Sequence, residues 1–277
     1  MGRYERPPEL AEALEFLSGG QFTILAGGTD FYPARATRPV SEDVLDVTGI
    51  AALKGIQETP DHWRMGALVT WSELIATPLP ALFDGYKLAA REVGGRQIQN
   101  TGTLAGNLCN ASPAADGTPH LVALDALVEL ASPRGKKTMP VSDFVTGNRK
   151  TARASDEIVT ALLIPKPKGD ARSTFVKLGA RKYLVISIAM VAAVIEVDRN
   201  VVTRAGVAVG SCSLVAQRLP ELEQALVGVA LGRLPEFVTP QHLGALAPIN
   251  DVRATAEYRQ DAAVELVRRA LRSFAPC

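Results

Sequence analysis

The chain is poor in the residues that metal, nucleic-acid and membrane chemistry require. Its 277 residues hold three cysteines, Cys109, Cys212 and Cys277, with no C-x-x-C pair, and three histidines, His62, His120 and His242, at no ligand spacing. A structural zinc or an iron–sulfur cluster held by this chain alone needs more donors at closer spacing. The histidines are therefore read as surface or packing residues, and no metal is expected. Thirty basic residues face twenty-nine acidic ones, so no overall field favours nucleic acid or an anionic membrane. Aromatics are only 5% of the chain and are not interleaved with basic residues as in single-strand binders. The start, MGRYERPPELAEAL, has no apolar signal region. The most apolar run, Ile186 to Val197, carries Ser187 and Glu196 and is too short to span a bilayer. A cytoplasmic location is the expectation.

Motifs of self-contained catalysis are missing as well. There is no G-x-G-x-x-G, so a Rossmann reading has no anchor. Gly135-Lys136-Lys137-Thr138 hints at a Walker loop, but position 130 is Leu rather than the glycine that loop needs. G-x-S-x-G, H-E-x-x-H and S-x-x-K are absent, and no nucleophile stands with its base. The chemistry is expected to belong to a bound cofactor.

What is present is a globular composition, 47% apolar and 21% charged, long enough for one large domain or two modest ones. Pro7-Pro8 opens a helix on which Leu10, Ala13, Leu14 and Leu17 share a face. Strands are predicted at Phe22 to Leu25, Val44 to Val47 and Trp63 to Leu68. Thr70-Trp71-Ser72-Glu73 is a capping box, and a further helix over Leu82 to Val93 ends at Gly94-Gly95. A long loop from Thr101 leads to a helix near Pro119–Asp125, a strand near Leu127–Ala131, a turn at Ser132–Gly135 and a strand over Asp156 to Ile164. Pro165-Lys166-Pro167-Lys168-Gly169 is the candidate domain boundary. It separates residues 1–168, with subdomains near 1–56 and 57–168, from residues 169–277. Beyond it, Ser173 to Leu178, Ile186 to Val197 and Val201 to Val209 predict an antiparallel meander. Helices follow over Glu221 to Val229, Pro240 to Ala247 and Ala254 to Phe274. The last is read with Tyr258, Ala262, Leu266, Ala270 and Phe274, or their neighbours, inside, and Arg259, Arg268, Arg269 and Arg272 outside.

Two glycine-bearing segments stand out. Ala26-Gly27-Gly28-Thr29-Asp30 follows a strand, and Thr101 to Asp125 packs Gly102, Gly106, Asn107, Asn110, Ser112 and Asp116 into a short span. Glycine lets backbone approach a ligand, and hydroxyls and amides bind phosphate or ribose oxygens without net charge. Closing from opposite sides, the two segments suit one diphosphate.

In combination, AGGTD at 26–30, GGRQIQNTGTLAGN at 94–107, ASPAAD at 111–116, DEIVTALLIP at 156–165 and FVKLGARK at 175–182 resemble the FAD-binding subunit of the molybdenum hydroxylases, the xanthine dehydrogenase and carbon monoxide dehydrogenase family. The resemblance covers nearly the whole chain. It implies an α+β chain: a two-subdomain FAD-binding fold of the vanillyl-alcohol-oxidase type, then a C-terminal domain of small antiparallel sheet and helices. By this resemblance Ala26, Gly27, Gly28, Thr29 and Asp30 wrap the diphosphate, with Ile24 and Leu25 beside the adenosine end. Thr103, Gly106, Asn107 and Asn110 meet the diphosphate and ribityl chain from the other side. Asp116 accepts from a ribose or ribityl hydroxyl, while also serving as a candidate N-cap of the next helix. Val159 packs near the flavin ring or adenine, and Lys177 approaches the polar edge of the isoalloxazine. Phe31, Val93, Gly94, Ile98, Gly102 and Cys109 complete the implied set. Ala105 stands where the family often has glycine. Cys109 falls where an apolar residue often faces the flavin, and with no histidine in the first glycine loop the expected FAD is non-covalent.

The implied function is electron transfer within a heteromeric complex. A large partner chain carries molybdopterin, and a small one carries 2Fe–2S clusters that feed this FAD. The external acceptor is NAD, a quinone or oxygen, and Arg181-Lys182, in the loop Leu178 to Ile188, is read as favouring an anionic one. A stand-alone FAD-dependent reductase or oxidase of the same fold is the alternative, although its substrate clamps are not found here.

Overall fold

A computed structural model describes residues 2–275, so Cys277 lies outside the described residues. The N-terminal unit comprises β1 (Tyr4–Glu5), α1 (Leu10–Gly19), β2 (Thr23–Leu25) and β3 (Val44–Asp46). Its strands form a parallel sheet in the order β1-β3-β2. Ala13 and Leu17 of α1 pack with Leu45, Val47, Ile50 and Leu53 in a small core that also takes Leu68 and Ile158 from the next unit.

That unit contains β4 (Ile56–Glu58), β5 (His62–Gly66), α2 (Trp71–Ala76), α3 (Asp84–Glu92), α4 (Arg96–Thr101), α5 (Leu104–Asn110), α6 (Thr118–Ala123), β6 (Leu127–Ser132), β7 (Gly135–Pro140), α7 (Val141–Phe144), β8 (Val145–Gly147), β9 (Lys150–Thr151) and β10 (Ile158–Pro165). Its main sheet runs β4-β5-β10-β6-β7 with every pair antiparallel. The predicted capping box starts α2: Thr70 Oγ1 accepts from Glu73 N–H at 3.2 Å, and Glu73 Oε2 accepts from Thr70 N–H at 2.6 Å. Two helical turns, α4 and α5, occupy what the sequence read as continuous loop. They are too short to show a hydrophobic period, and glycine flanks α4 on both sides. The lysines of the apparent Walker motif lie in β7, paired with β6 in a hairpin.

Lys166 to Gly169 carry the chain into a further sheet, β11 (Asp170–Leu178), β12 (Ala189–Asp198), β13 (Val201–Gly210) and β14 (Gln217–Arg218), an antiparallel meander as expected. Strand β12 is buried on both faces, which is why its sequence is a continuous apolar run rather than an alternation. Met190, Ala192 and Val194 join Trp71, Phe83, Tyr86 and Leu108 in the core of the preceding unit. The alternate residues Val191, Ala193 and Ile195 pack on α8 (Pro220–Leu226) and α9 (Ala256–Arg272). The expected helix over Pro240 to Ala247 is only a tight turn, Pro240–Leu243, because Gly244 follows the Thr239 cap so closely.

One face of α9 differs from the sequence reading. Arg259 is 1% exposed, whereas Tyr258 is 52% exposed, so the buried stripe is turned by one residue, through Arg259, Ala263, Leu266, Val267 and Ala270. A buried cation is stable here because it is paired and hydrogen-bonded. Arg259 Nη1 donates to the carbonyls of Ile188 at 2.5 Å and Ser211 at 3.1 Å, and Nη2 to Asp251 Oδ1 at 2.7 Å.

Candidate functional site

Where β2 ends, the chain turns through Gly27 and Gly28 and meets the segment between α4 and α5. A Cβ on Gly27 would fall 1.9 Å from the Thr101 carbonyl oxygen, so only glycine lets the two backbones touch. Gly28 takes φ +69°, a conformation that side chains resist. Gly102 returns the contact: a Cβ there would lie 3.2 Å from Thr29 Oγ1. Two segments distant in sequence thus converge on one cleft of about 940 Å³.

The first segment lines it with Ile24, Leu25, Ala26, Gly27, Gly28, Thr29, Asp30 and Phe31. The second contributes Gly102, Thr103, Gly106, Asn107, Cys109 and Asn110. Val93 and Ile98 enter from either side of the Gly94-Gly95 turn, and Val159 from β10, beside a bulge in its pairing with β6. Thr103 is also the N-cap of α5, its Oγ1 accepting from Gly106 N–H at 2.9 Å. Leu68, Trp71 and Ile158 extend the apolar wall, and nothing in their sequence context marked them.

Gly94, Asp116 and Lys177 lie off this lining. Gly94, at φ +52°, follows the last turn of α3 and packs against Ile98, a residue that does line the cleft. Asp116 and Lys177 face each other in a buried pair: Lys177 Nζ stands 2.6 Å from Asp116 Oδ2, and Ser187 Oγ donates to Asp116 Oδ1 at 2.6 Å. The cation that the sequence placed nowhere near Asp116 is thus brought to it by β11. Burial raises the Asp116 pKa, against the opposing pull of Lys177 and Ser187. Asp116 is not the helix cap that it resembled, because Gly117 holds the N-cap position of α6 and no side chain caps it.

Charge is the feature the sequence missed. Arg35, Arg149 and Arg153 all line a cleft read as uncharged. Arg35 is spent on Glu42 and lies over the Phe31 ring, 3.5 Å from its centroid. Arg153 donates to the Glu157 carbonyl at 2.7 Å. Arg149 donates to Asp30 Oδ2 at 2.5 Å and to Asn110 Oδ1. In sequence nothing local marks these arginines as cleft residues, and only the fold brings them to it. Desolvation pushes the Cys109 thiol up to about 11, so it is protonated at neutral pH and a poor nucleophile for a covalent flavin link.

The residues present fit a dinucleotide flavin. Backbone N–H groups at a glycine turn, uncharged Thr and Asn side chains and an arginine suit a diphosphate. Leu25, Val93, Ile98 and Val159 supply an apolar wall for a ring system. Among the described residues no three His, Cys, Asp or Glu side chains cluster to hold a metal ion, and no helix is long and apolar enough to cross a membrane.

Residues 1–167 match the FAD binding domain in molybdopterin dehydrogenase, and residues 174–274 match the CO dehydrogenase flavoprotein C-terminal domain. The nicotine 6-hydroxylase medium subunit of Paenarthrobacter nicotinovorans is 31% identical over 274 residues, 97% of this chain and 95% of its own. The putative xanthine dehydrogenase FAD-binding subunit of Escherichia coli K12 is 32% identical over 266 residues, 92% of this chain and 90% of its own. A chain of reconstituted CO dehydrogenase from Oligotropha carboxidovorans shares the fold at TM-score 0.90 and 28% identity, with 99% of each chain covered. Fold and cleft together define an FAD-binding oxidoreductase subunit of α+β, vanillyl-alcohol-oxidase type. The chain belongs to the family of FAD-binding medium subunits of the molybdenum hydroxylases, heteromeric enzymes of the xanthine and carbon monoxide dehydrogenase kind.

Proposed function

We propose that this cleft holds FAD non-covalently and that the chain passes electrons from 2Fe–2S clusters on a small partner subunit to an external acceptor. The observation that carries the reading is the contact of Gly27 with the Thr101 backbone, which brings both glycine segments to one cleft. Bound FAD would supply the redox chemistry, accepting single electrons and releasing them in pairs. The backbone of Ala26 to Thr29 and the side chains of Thr103 and Asn107 bind and orient the diphosphate and its neighbouring hydroxyls. Val93, Ile98 and Val159 exclude water from the ring. Asp116 and Lys177, buried just off the lining, neutralise each other and tie the segment after α5 to β11.

Relatives are named for nicotine, xanthine and carbon monoxide. Substrate choice therefore falls to the large subunit that holds the molybdenum cofactor. The division at residue 168 separates the FAD-binding part, itself jointed near residue 56, from a C-terminal domain. The complex works in the cytoplasm, with NAD, a quinone or oxygen as acceptor. Purification from the native host through a tag on this chain tests the assembly. Flavin should co-elute with two partner chains carrying iron and molybdenum; a chain that elutes alone, with neither metal, refutes it.

A further inference from the structure

Arg149 differs from the other arginines of the cleft. Arg35 has committed its guanidinium to Glu42 and the Phe31 carbonyl, and Arg153 is tied to carbonyls within four residues of itself. Arg149 sits in the β8–β9 turn at φ +57°, its backbone N–H fixed on the Ala111 carbonyl at 2.8 Å. Its Nη1 alone reaches both glycine segments, through Asp30 on one and Asn110 on the other. Among the described residues, Nε and Nη2 have no hydrogen-bond partner on the protein.

The Arg149 and Asp30 side chains are 53% and 50% exposed, and such surface pairs add little to folding stability. A carboxylate beside backbone N–H groups that bind an anion also repels that anion unless a cation cancels it. Arg149 provides the cancellation, and its anchored Nη1 fixes the plane of the remaining donors. A planar guanidinium with a free edge is the group that grips phosphate oxygens in pairs.

We propose that Arg149 contacts the phosphates of the bound dinucleotide, and that Asp30 and Asn110 position Arg149 instead of touching the ligand. The inference rests on the cleft being the FAD site. It reassigns two residues that the sequence resemblance had placed on the diphosphate.

The test titrates the flavin-free full-length chain with FAD and with riboflavin, which has no phosphate, at low and high salt. Arg149→Gln should weaken FAD about tenfold to a hundredfold, flatten its salt dependence and leave riboflavin unchanged. Arg149→Lys should restore the salt dependence and only part of the affinity. Asn110→Ala should weaken FAD in the wild-type background and have no further effect beside Arg149→Gln. Equal FAD affinity for wild type and Arg149→Gln, or an equal loss for riboflavin, overturns the proposal. So does an Asn110→Ala effect of the same size in both backgrounds. A wild-type chain that binds neither flavin removes the FAD reading and this proposal with it, so the wild-type titration tells the two failures apart.

Discussion

Gly27 shows how one missing methyl group organises the site. Alanine there would put a carbon 1.9 Å from a backbone oxygen, and neither backbone is free to yield cheaply. Gly27→Ala should therefore cost about 1–3 kcal/mol of stability and lower the flavin content of the purified protein; full flavin with an unchanged melting temperature would contradict this. His120 makes a second residue-level prediction. It is fully buried and stacked on Tyr86, and its ring nitrogens have no hydrogen-bond partner among the described residues. Burial pushes its pKa down to about 3, so between there and about pH 6.5 the unfolded chain takes up a proton that the folded chain refuses. Its contribution to stability is complete above about pH 6.5 and drains away as pH falls, by at most about 1.4 kcal/mol per pH unit. Urea denaturation of His120→Phe between about pH 7 and pH 5 should show a shallower decline than wild type. Parallel profiles would show that His120 does not titrate between the two states.

At the scale of elements, what could be read in advance was set by local physics. The capping box of α2 and the three strands β11 to β13 carry their signal within a few residues; the box forms where it was expected, the strands form within three residues of the expected bounds, and α1 opens after the proline pair, at the Glu9 cap. Helices α4 and α5 were missed because six- and seven-residue turns have no room for a period. The glycine segments were legible as cofactor loops because glycine and small polar residues are local evidence. Arg149 and the Asp116–Lys177 pair were not, because their partners arrive from 39 to 119 residues away. Helix α9 gives the sharpest case: a charged residue read as outward lies inside because Asp251 and two carbonyls receive it. Arg259→Ala should then destabilise the protein by about 1–3 kcal/mol, since the buried carbonyls of Ile188 and Ser211 lose their donor while Asp251 keeps Arg253. A loss below about 1 kcal/mol in equilibrium denaturation would mean that the cluster is no more than a surface pair.

At the scale of the whole molecule, the C-terminal sheet lies beside the cleft without lining it. The turn between β11 and β12 ends where Ser187 bonds to Asp116 and Arg259 holds the Ile188 carbonyl. Just ahead of these anchors Tyr183, Leu184 and Ile186 are exposed. A Cβ on Gly95, beside cleft-lining Val93 and Ile98, would come within 3.7 Å of Leu184. Leu184 thus lies beside the cleft wall and Arg181 donates to its carbonyl at 3.1 Å; under the proposed function the charge of Arg181 and Lys182 would draw an anionic acceptor. Reversing both to glutamate should slow NAD reduction by the assembled complex about tenfold or more at low salt, with flavin content unchanged; equal rates would remove these residues from acceptor capture. Every role assigned to these residues depends on the cleft between the two glycine segments taking FAD. The most direct check is equilibrium titration of the flavin-stripped, full-length chain with FAD, followed by flavin fluorescence. Saturation at one FAD per chain is the predicted result, and a correctly folded chain showing no saturable binding would contradict it.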